Sequence, residues 1–554
     1  MNAEPEKPAP AAARVTAPRA TLVPFPAKVL QDVGARTLDP VTAPRLRDQT
    51  ELRPTAYVGS DLLIAGLPSG AAAPVIEALR QQLRDRRTGE EVVAIEVSRR
   101  DLEAETAINS VKVAAVREMA DRIWVTRVHL EPVEETGPKV DAFLALQQLK
   151  ARRDTYASRA SLNHVVGAGS ELHGTAITGA AAIGGEGFWG GHGTGGVGFW
   201  GGHGGGVGFW GGHGGPTEYA APGFGGRMPV AWAGIDPCTH APALDRPPVI
   251  AVPDTGIGTH PWFGPTSRAK VGATWHGLSL SAPGVGNPDS SLAIDSLTGA
   301  LEPLAGHGTF IAGLLRQGCP QASILSLPVM RASGAVVEGD LHEVLSLLLL
   351  RHIEGQETNN KDLVVDVLSM SLGYYHESPA DEITDQQFRA LMAAFVERGV
   401  VVVAAAGNDS TDQPLYPAGF TAPLLGQPGL PMAAVGSLNA APGTVALFSN
   451  GGTWVNAYRQ GAAVVSTMPT NFQGPGGAST EIPAATGRTR GTMDPDDFSS
   501  GFGVWSGTSF AAPILAAEVA AALVREDGLK NVDCRTMTAR ASGVLASTLA
   551  EDEP

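Results

Sequence analysis

From about residue 241 onward the chain alternates two kinds of stretch. Short, nearly all-apolar runs (PPVIAV, ASILSLPV, DLVVDVLSMSLG, GVVVVAAAG, PMAAVGS) are separated by longer segments of helical period. A strand that is apolar at every position is buried on both faces, so this pattern predicts an α/β domain: a parallel sheet covered by helices on either side. The domain is expected to span 241–550.

The first half reads differently. Between 54 and 155, strand-like runs (TAYVGSDLLIAG, EEVVAIEV, DRIWVTRVHL) interleave with helix-like ones (APVIEALRQQLRDR, TAINSVKVAAVREMA, KVDAFLALQQLKARR), predicting a small α/β or α+β domain. Residues 1–53 are rich in Ala, Pro and Arg without either period and read as a flexible tail. Residues 156–240 contain tandem Gly-Phe-Trp-Gly-Gly-His units and read as a glycine-rich linker, because glycine supplies no side chains for a core.

Composition narrows the partners. The 554 residues are 43% hydrophobic, enough for sizeable cores, and carry a formal net charge of −16. Phosphate binding needs clustered Lys and Arg, so nucleic acid and anionic membranes are not expected partners, whereas proteins or peptides are. Cys238, Cys319 and Cys534 follow no metal-ligand spacing. No cofactor or metal is required by the pattern. The amino-terminal stretch has no secretory h-region, and VLSLLLLRHIEG and GVVVVAAAGN are too short to span a bilayer, so a cytoplasmic protein is expected.

In parallel α/β sheets, functional groups collect at the carboxyl ends of strands and at the helix N-termini that follow. VIAVPDTG ends in Asp254, VVVAAAGN in Asn408, LAGHGTFIAG sets His307 before a helical run, and VWSGTSFAAP sets Ser509 at the start of another. A serine hydroxyl needs a base, an imidazole base needs a carboxylate to fix its tautomer, and the resulting oxyanion needs preorganised N–H donors. Asp254, His307, Ser509 and Asn408 supply those four requirements. Taken singly, each has a plainer explanation as a turn residue, loop histidine or helix cap; their ordered conjunction favours acyl transfer.

These segments, in the order VPDTGIG, GHGTFIAG, AAAGN and SGTSFAAP, resemble the subtilisin-like serine proteases over roughly residues 244–545. The resemblance implies a serine endopeptidase with Asp254, His307 and Ser509 as triad and Asn408 as oxyanion donor. It implies that Ser371, Leu372 and Gly373 of SMSLG, with Ala406 and Gly407, line the substrate. It also brings structural calcium into view, although no clustered carboxylate loop stands out. YPAG, AVGS and FSNGG match further landmarks of the family. Three departures stand against it: Phe310 where many relatives have a second His, no Ala-Pro-Gly turn in VNAYRQGAAVVST, and an apparent insertion, TNFQGPGGASTEIPAATGRTRGTMDPDDFSSG, before the serine.

Asp-Thr-Gly also serves aspartic proteases, but those need a second such carboxylate and the chain has no other DTG or DSG. His192, His203 and His213 of the repeat could bind metal only by closing glycine loops that have no scaffold, so a spacer, or docking through Trp189, Trp200 and Trp210, is favoured. The 54–155 domain is expected to be either a propeptide that keeps the protease latent or an adaptor for a protein partner. A catalytically silent scaffold on the same fold is the alternative.

Overall fold

The computed structural model describes residues 25, 27–44, 52–84, 88–134, 140–151, 156–168, 196–198, 206–208, 227–232, 234–295, 299–377, 386–424, 431–441, 443–485, 487–525 and 529–550. The carboxy-terminal part is built on a seven-stranded sheet. Its strands run, in spatial order, Ala269–Val271, Ser323–Pro328, Val249–Asp254, Val367–Met370, Val401–Ala405, Met432–Leu438 and Ala457–Gln460. Every neighbouring pair is parallel. The apolar runs form these strands, and the central Val367–Met370 and Val401–Ala405 are buried at each position, as expected of strands covered on both faces.

The sheet grows from Val249–Asp254 first to one side, through Ser323–Pro328, and then to the other, through Val367–Met370. That change of direction opens a crevice at the carboxyl ends of the strands, beside Asp254. Helices His307–Gly318 and Thr508–Arg525 pack against each other. Thr508–Arg525 is the one helix among the described residues long and apolar enough to cross a membrane; it is mostly buried and lies against the sheet as a core helix.

The amino-terminal part is an antiparallel sheet. Thr55–Ala65 lies between Val125–Pro132 and Ala160–Gly167, and Val93–Val97 flanks Val125–Pro132. Two expectations are corrected here. Residues placed in the flexible tail include a helix, Ala27–Asp32, and a strand, Ala35–Leu38, that pairs with Thr55–Ala65, because Val29 and Leu38 find apolar surface to cover. Residues 160–167, placed in the linker, form an integral strand: Ala160, Leu162, Val165 and Val166 are buried, but the polar Asn163 and His164 between them break the apolar run that would announce it locally.

The two parts share one apolar core. Ala104, Ile108, Val116, Ala120 and Ile123 join the same cluster as Leu341, Val344, Leu345 and Leu348 of helix Glu338–Thr358. This explains VLSLLLLRHIEG. A helix bearing apolar side chains all round is buried all round, here between the parallel sheet and the amino-terminal helices. Around that contact Arg100 and Arg127 meet Glu343 and Asp340, each at 2.6 Å. Strand Ala335–Val337 of the carboxy-terminal part also pairs antiparallel with Ala160–Gly167, so one sheet crosses the boundary.

Within the glycine-rich repeat, Gly196–Gly198 and Gly206–Gly208 pair as short parallel strands. His192, His203, His213, Trp189, Trp200 and Trp210 lie outside the described residues.

Candidate active site

Asp254 closes its strand, and its Oδ1 accepts the Thr255 backbone N–H at 2.8 Å, which holds the carboxylate in place. His307 begins its helix. Its Nδ1 donates to Asp254 at 2.9 Å to Oδ1 and 3.0 Å to Oδ2, and both residues are fully buried. A carboxylate can only accept here, so Nδ1 carries the proton and Nε2 presents its lone pair. Nε2 is buried without a hydrogen-bond partner among the described residues.

The two glycines around His307 have separate causes. Gly306 has φ of 86°, a left-handed conformation that side chains disfavour. Gly308 lies against the loop after Asp254: a Cβ there would sit 2.3 Å from the Gly256 carbonyl oxygen. The sequence Gly-His-Gly thus delivers the imidazole onto the strand end. Asp289 fixes the same turn. Its Oδ1 accepts from Gly306 N at 3.1 Å, and its Oδ2 accepts from Thr309 N at 3.0 Å and Thr309 Oγ1 at 2.6 Å.

Burial pushes the Asp289 carboxyl up to about 6, against the opposing pull of those three donors. Its hydrogen bonds serve orphan helix N–H groups. Replacing Asp289 by alanine is expected to lower the unfolding free energy by about 1–3 kcal/mol, read as a reduced midpoint in urea at unchanged slope.

Ser509 stands in the first turn of helix Thr508–Arg525, where backbone N–H groups have no intrahelical acceptor. Pro513, four residues on, has no N–H to give to the Ser509 carbonyl. That carbonyl instead accepts from Ser371 Oγ at 2.8 Å, tying the helix to the end of strand Val367–Met370. In return, Ser509 Oγ donates to the Ser371 carbonyl at 3.3 Å. Phe510, the next residue, lies against the His307 ring with centroids 5.4 Å apart.

Asn408 follows strand Val401–Ala405. Its Oδ1 accepts from Thr508 N at 2.8 Å and Thr508 Oγ1 at 2.9 Å, so its amide is aimed by the residue before the serine. The Nδ2 donor is buried and unpartnered among the described residues. Gly407 has φ of 102° and gives its N–H to Thr508 Oγ1 at 3.0 Å, while Ala406 stays in the ladder through Val435. Asn450, from FSNGG, holds the same loop by donating to the Ala406 carbonyl at 2.9 Å and accepting from Asp409 N, also at 2.9 Å.

The structure sets Asp254 on His307, and Asn408 and Ser371 on the Thr508–Ser509 turn, which His307 meets through Phe510; among the described residues the Ser509 hydroxyl bonds the Ser371 carbonyl and not His307. Leu372 turns into the core, whereas Gly373 offers both backbone groups outward. Those groups are taken: Gly167 N donates to Gly373 O at 3.0 Å and Gly373 N to Gly167 O at 2.8 Å, antiparallel. Ala168 N reaches Gly334 O at 3.3 Å on the other side, and Ala168 is buried.

The three departures also resolve. Phe310 is a core residue packed between Trp505 and Phe510, with centroids at 5.8 and 4.6 Å. Ala463, at φ of 55°, makes the turn where the Ala-Pro-Gly is missing. The insertion folds in part as an exposed hairpin, Glu481–Pro483 with Thr489–Gly491. Sequence reasoning missed Asp289, Thr508 and Asn450 as supports. Thr508 and Asn450 sat inside quoted motifs, but Asp289, in GNPDSS, carries no local signal.

The model of the subtilase family matches residues 245–551, more than half of the chain. Among solved structures, the crystal structure of a cold-adapted subtilisin-like serine proteinase is similar at 21% identity, over 57% of this chain and 87% of that one, with a TM-score of 0.33. No curated protein matches.

Proposed function

This chain belongs to the subtilase family of serine peptidases, and we propose that it is an endopeptidase working through an acyl-enzyme on Ser509. The observation that carries this reading is the His307 imidazole, held through Nδ1 by Asp254 and presenting a buried Nε2, unpartnered among the described residues, next to the helix that opens on Ser509. His307 takes the Ser509 proton as the hydroxyl attacks the scissile carbonyl and then gives it to the leaving amine. Asp254 stabilises the imidazolium between those steps.

An extended substrate backbone pairs along Ser371 to Gly373. The Ser371 carbonyl, which now accepts from Ser509 Oγ, would then accept a substrate N–H and free the hydroxyl to turn toward His307. Asn408 Nδ2 and the Ser509 N–H stabilise the oxyanion. Replacing Asn408 by alanine is expected to lower kcat by about 10²–10³, the range known for loss of one oxyanion donor in this family, with a smaller change in KM. Steady-state peptide hydrolysis checks it, and full turnover in that variant would overturn the assignment.

We further propose that the full-length chain is latent, with the amino-terminal region acting as an intramolecular inhibitor rather than an adaptor. Gly167 supports this, because it uses both backbone groups of Gly373, the edge a substrate would need. An adaptor would have no reason to fill that edge. Gly167 pairs antiparallel with Gly373, which points Gly167–Ala168 in the direction of Ser371, so self-processing is expected in the sequence that follows, from residue 169. Mass mapping of the purified protein's own products tests it; a first cut elsewhere, with that segment intact in active protein, would remove the inhibitor reading. The silent-scaffold alternative predicts no products at all.

A further inference from the structure

We propose that His164, His376 and Glu377 form a site for one divalent transition-metal cation of the zinc class, bridging the amino-terminal and peptidase parts. His164 comes from strand Ala160–Gly167; His376 and Glu377 follow Gly373 on the peptidase side. The three side chains are buried, and one ligand atom from each lies within 4.8 Å of the others. Glu377 Oε2 is 2.9 Å from His164 Nε2 and 3.1 Å from His376 Nδ1. A four-coordinate ion with bonds of about 2.0–2.2 Å sets its ligands roughly 3.3–3.6 Å apart, so the two pairs through Glu377 would open by a few tenths of an ångström, the third pair, within 4.8 Å, would come to the same spacing, and a water would be the fourth ligand.

The donor set selects the metal. Two imidazoles and one carboxylate suit zinc-class ions, whereas calcium and magnesium take oxygen ligands. Surrounding groups orient His164 as metal sites require. Its Nδ1 meets Glu338 Oε2 at 2.6 Å, which leaves Nε2 as the ligand atom, and Tyr374 stacks on its ring at 4.8 Å.

The position gives the site a consequence, which rests on the inhibitor reading. His164 lies three residues before Gly167, and Glu377 lies four after Gly373. A cation between them would clamp the strand that fills the substrate edge.

The test uses the full-length Ser509→Ala chain, which cannot cleave itself, stripped with a chelator and titrated with Zn²⁺ or Co²⁺. One equivalent of Zn²⁺ per chain is expected, with a visible Co²⁺ spectrum of four-coordinate type. His376→Asn and Glu377→Gln should each weaken binding by more than about 100-fold while circular dichroism of the metal-free protein is unchanged. The chain with His192, His203 and His213 all replaced by alanine should keep full binding. Absence of a stoichiometric site, binding unaffected by both His376→Asn and Glu377→Gln, or loss in the repeat variant would each overturn the proposal. Binding is read without peptidase activity, so a full-length protein that is constitutively active yet binds one Zn²⁺ keeps the site and removes only the latency.

Discussion

Replacing Ser509 by alanine is expected to reduce peptide hydrolysis on the order of 10⁶-fold, the scale known for loss of the nucleophile in this family, and to abolish covalent labelling by a fluorophosphonate. In the proposed mechanism the effect is large because Ser509, His307 and Asp254 would act as one unit: without the hydroxyl, the imidazole has no proton to take and the two oxyanion donors have no intermediate to hold. The fold should survive. The Ser509 side chain contributes one 3.3 Å hydrogen bond to the Ser371 carbonyl, whereas the bond that fastens the helix, from Ser371 Oγ, uses the Ser509 backbone. Labelling of the native chain that disappears in the variant, at unchanged thermal midpoint within a degree or two, is the expected pair of results. Labelling that persists in Ser509→Ala would place the nucleophile elsewhere.

The second large effect concerns the cover over the cleft. Reversing charge at Arg100 and Arg127 together, each to glutamate, sets two new carboxylates against Glu343 and Asp340, in an interface where Arg127 is well buried. Burial alone would lower the Arg127 pKa; Asp340 instead carries it above the ordinary arginine value, so the pair is strongly interdependent. The repulsion should loosen the amino-terminal part and free Gly373 for substrate. The rate of peptide hydrolysis by intact full-length protein is expected to rise at least about 10-fold, since a free-energy change of roughly 1.4 kcal/mol in the closed state suffices for that factor. An unchanged rate in a folded variant would count against inhibition by residues 160–168. Deleting everything before residue 235 is a poorer test, because it strips the cover from the apolar helix Glu338–Thr358 and invites aggregation.

Much of the site was legible because its chemistry is local. Asp254, His307 and Ser509 each end or begin an element and Asn408 closely follows one, and the neighbouring glycines (Gly306, Gly308, Gly407) are fixed by backbone conformation and close approach, which leave a mark within a few residues. The buried strands were legible for a similar reason, since burial on both faces admits only apolar side chains. By contrast, residues 160–167 looked like the start of a linker. The apolar Ala160, Leu162, Val165 and Val166 are buried, but Asn163 and His164 between them are polar and find their partners in Gly339, Glu338 and Glu377 far along the chain, so ASLNHVVG does not read locally as a buried run.

By itself, then, the sequence determined the parallel α/β architecture and the family and nominated the four groups of the proposed site, because each rests on short-range pattern. Only the tertiary structure decided what lies against that site. It placed Gly167 on Gly373, Asp289 beneath His307, and His164 between Glu338 and Glu377, bringing together residues up to 213 positions apart. Such pairings depend on how two separately patterned halves bury a common apolar surface, and that information is distributed over both halves rather than written at any one position.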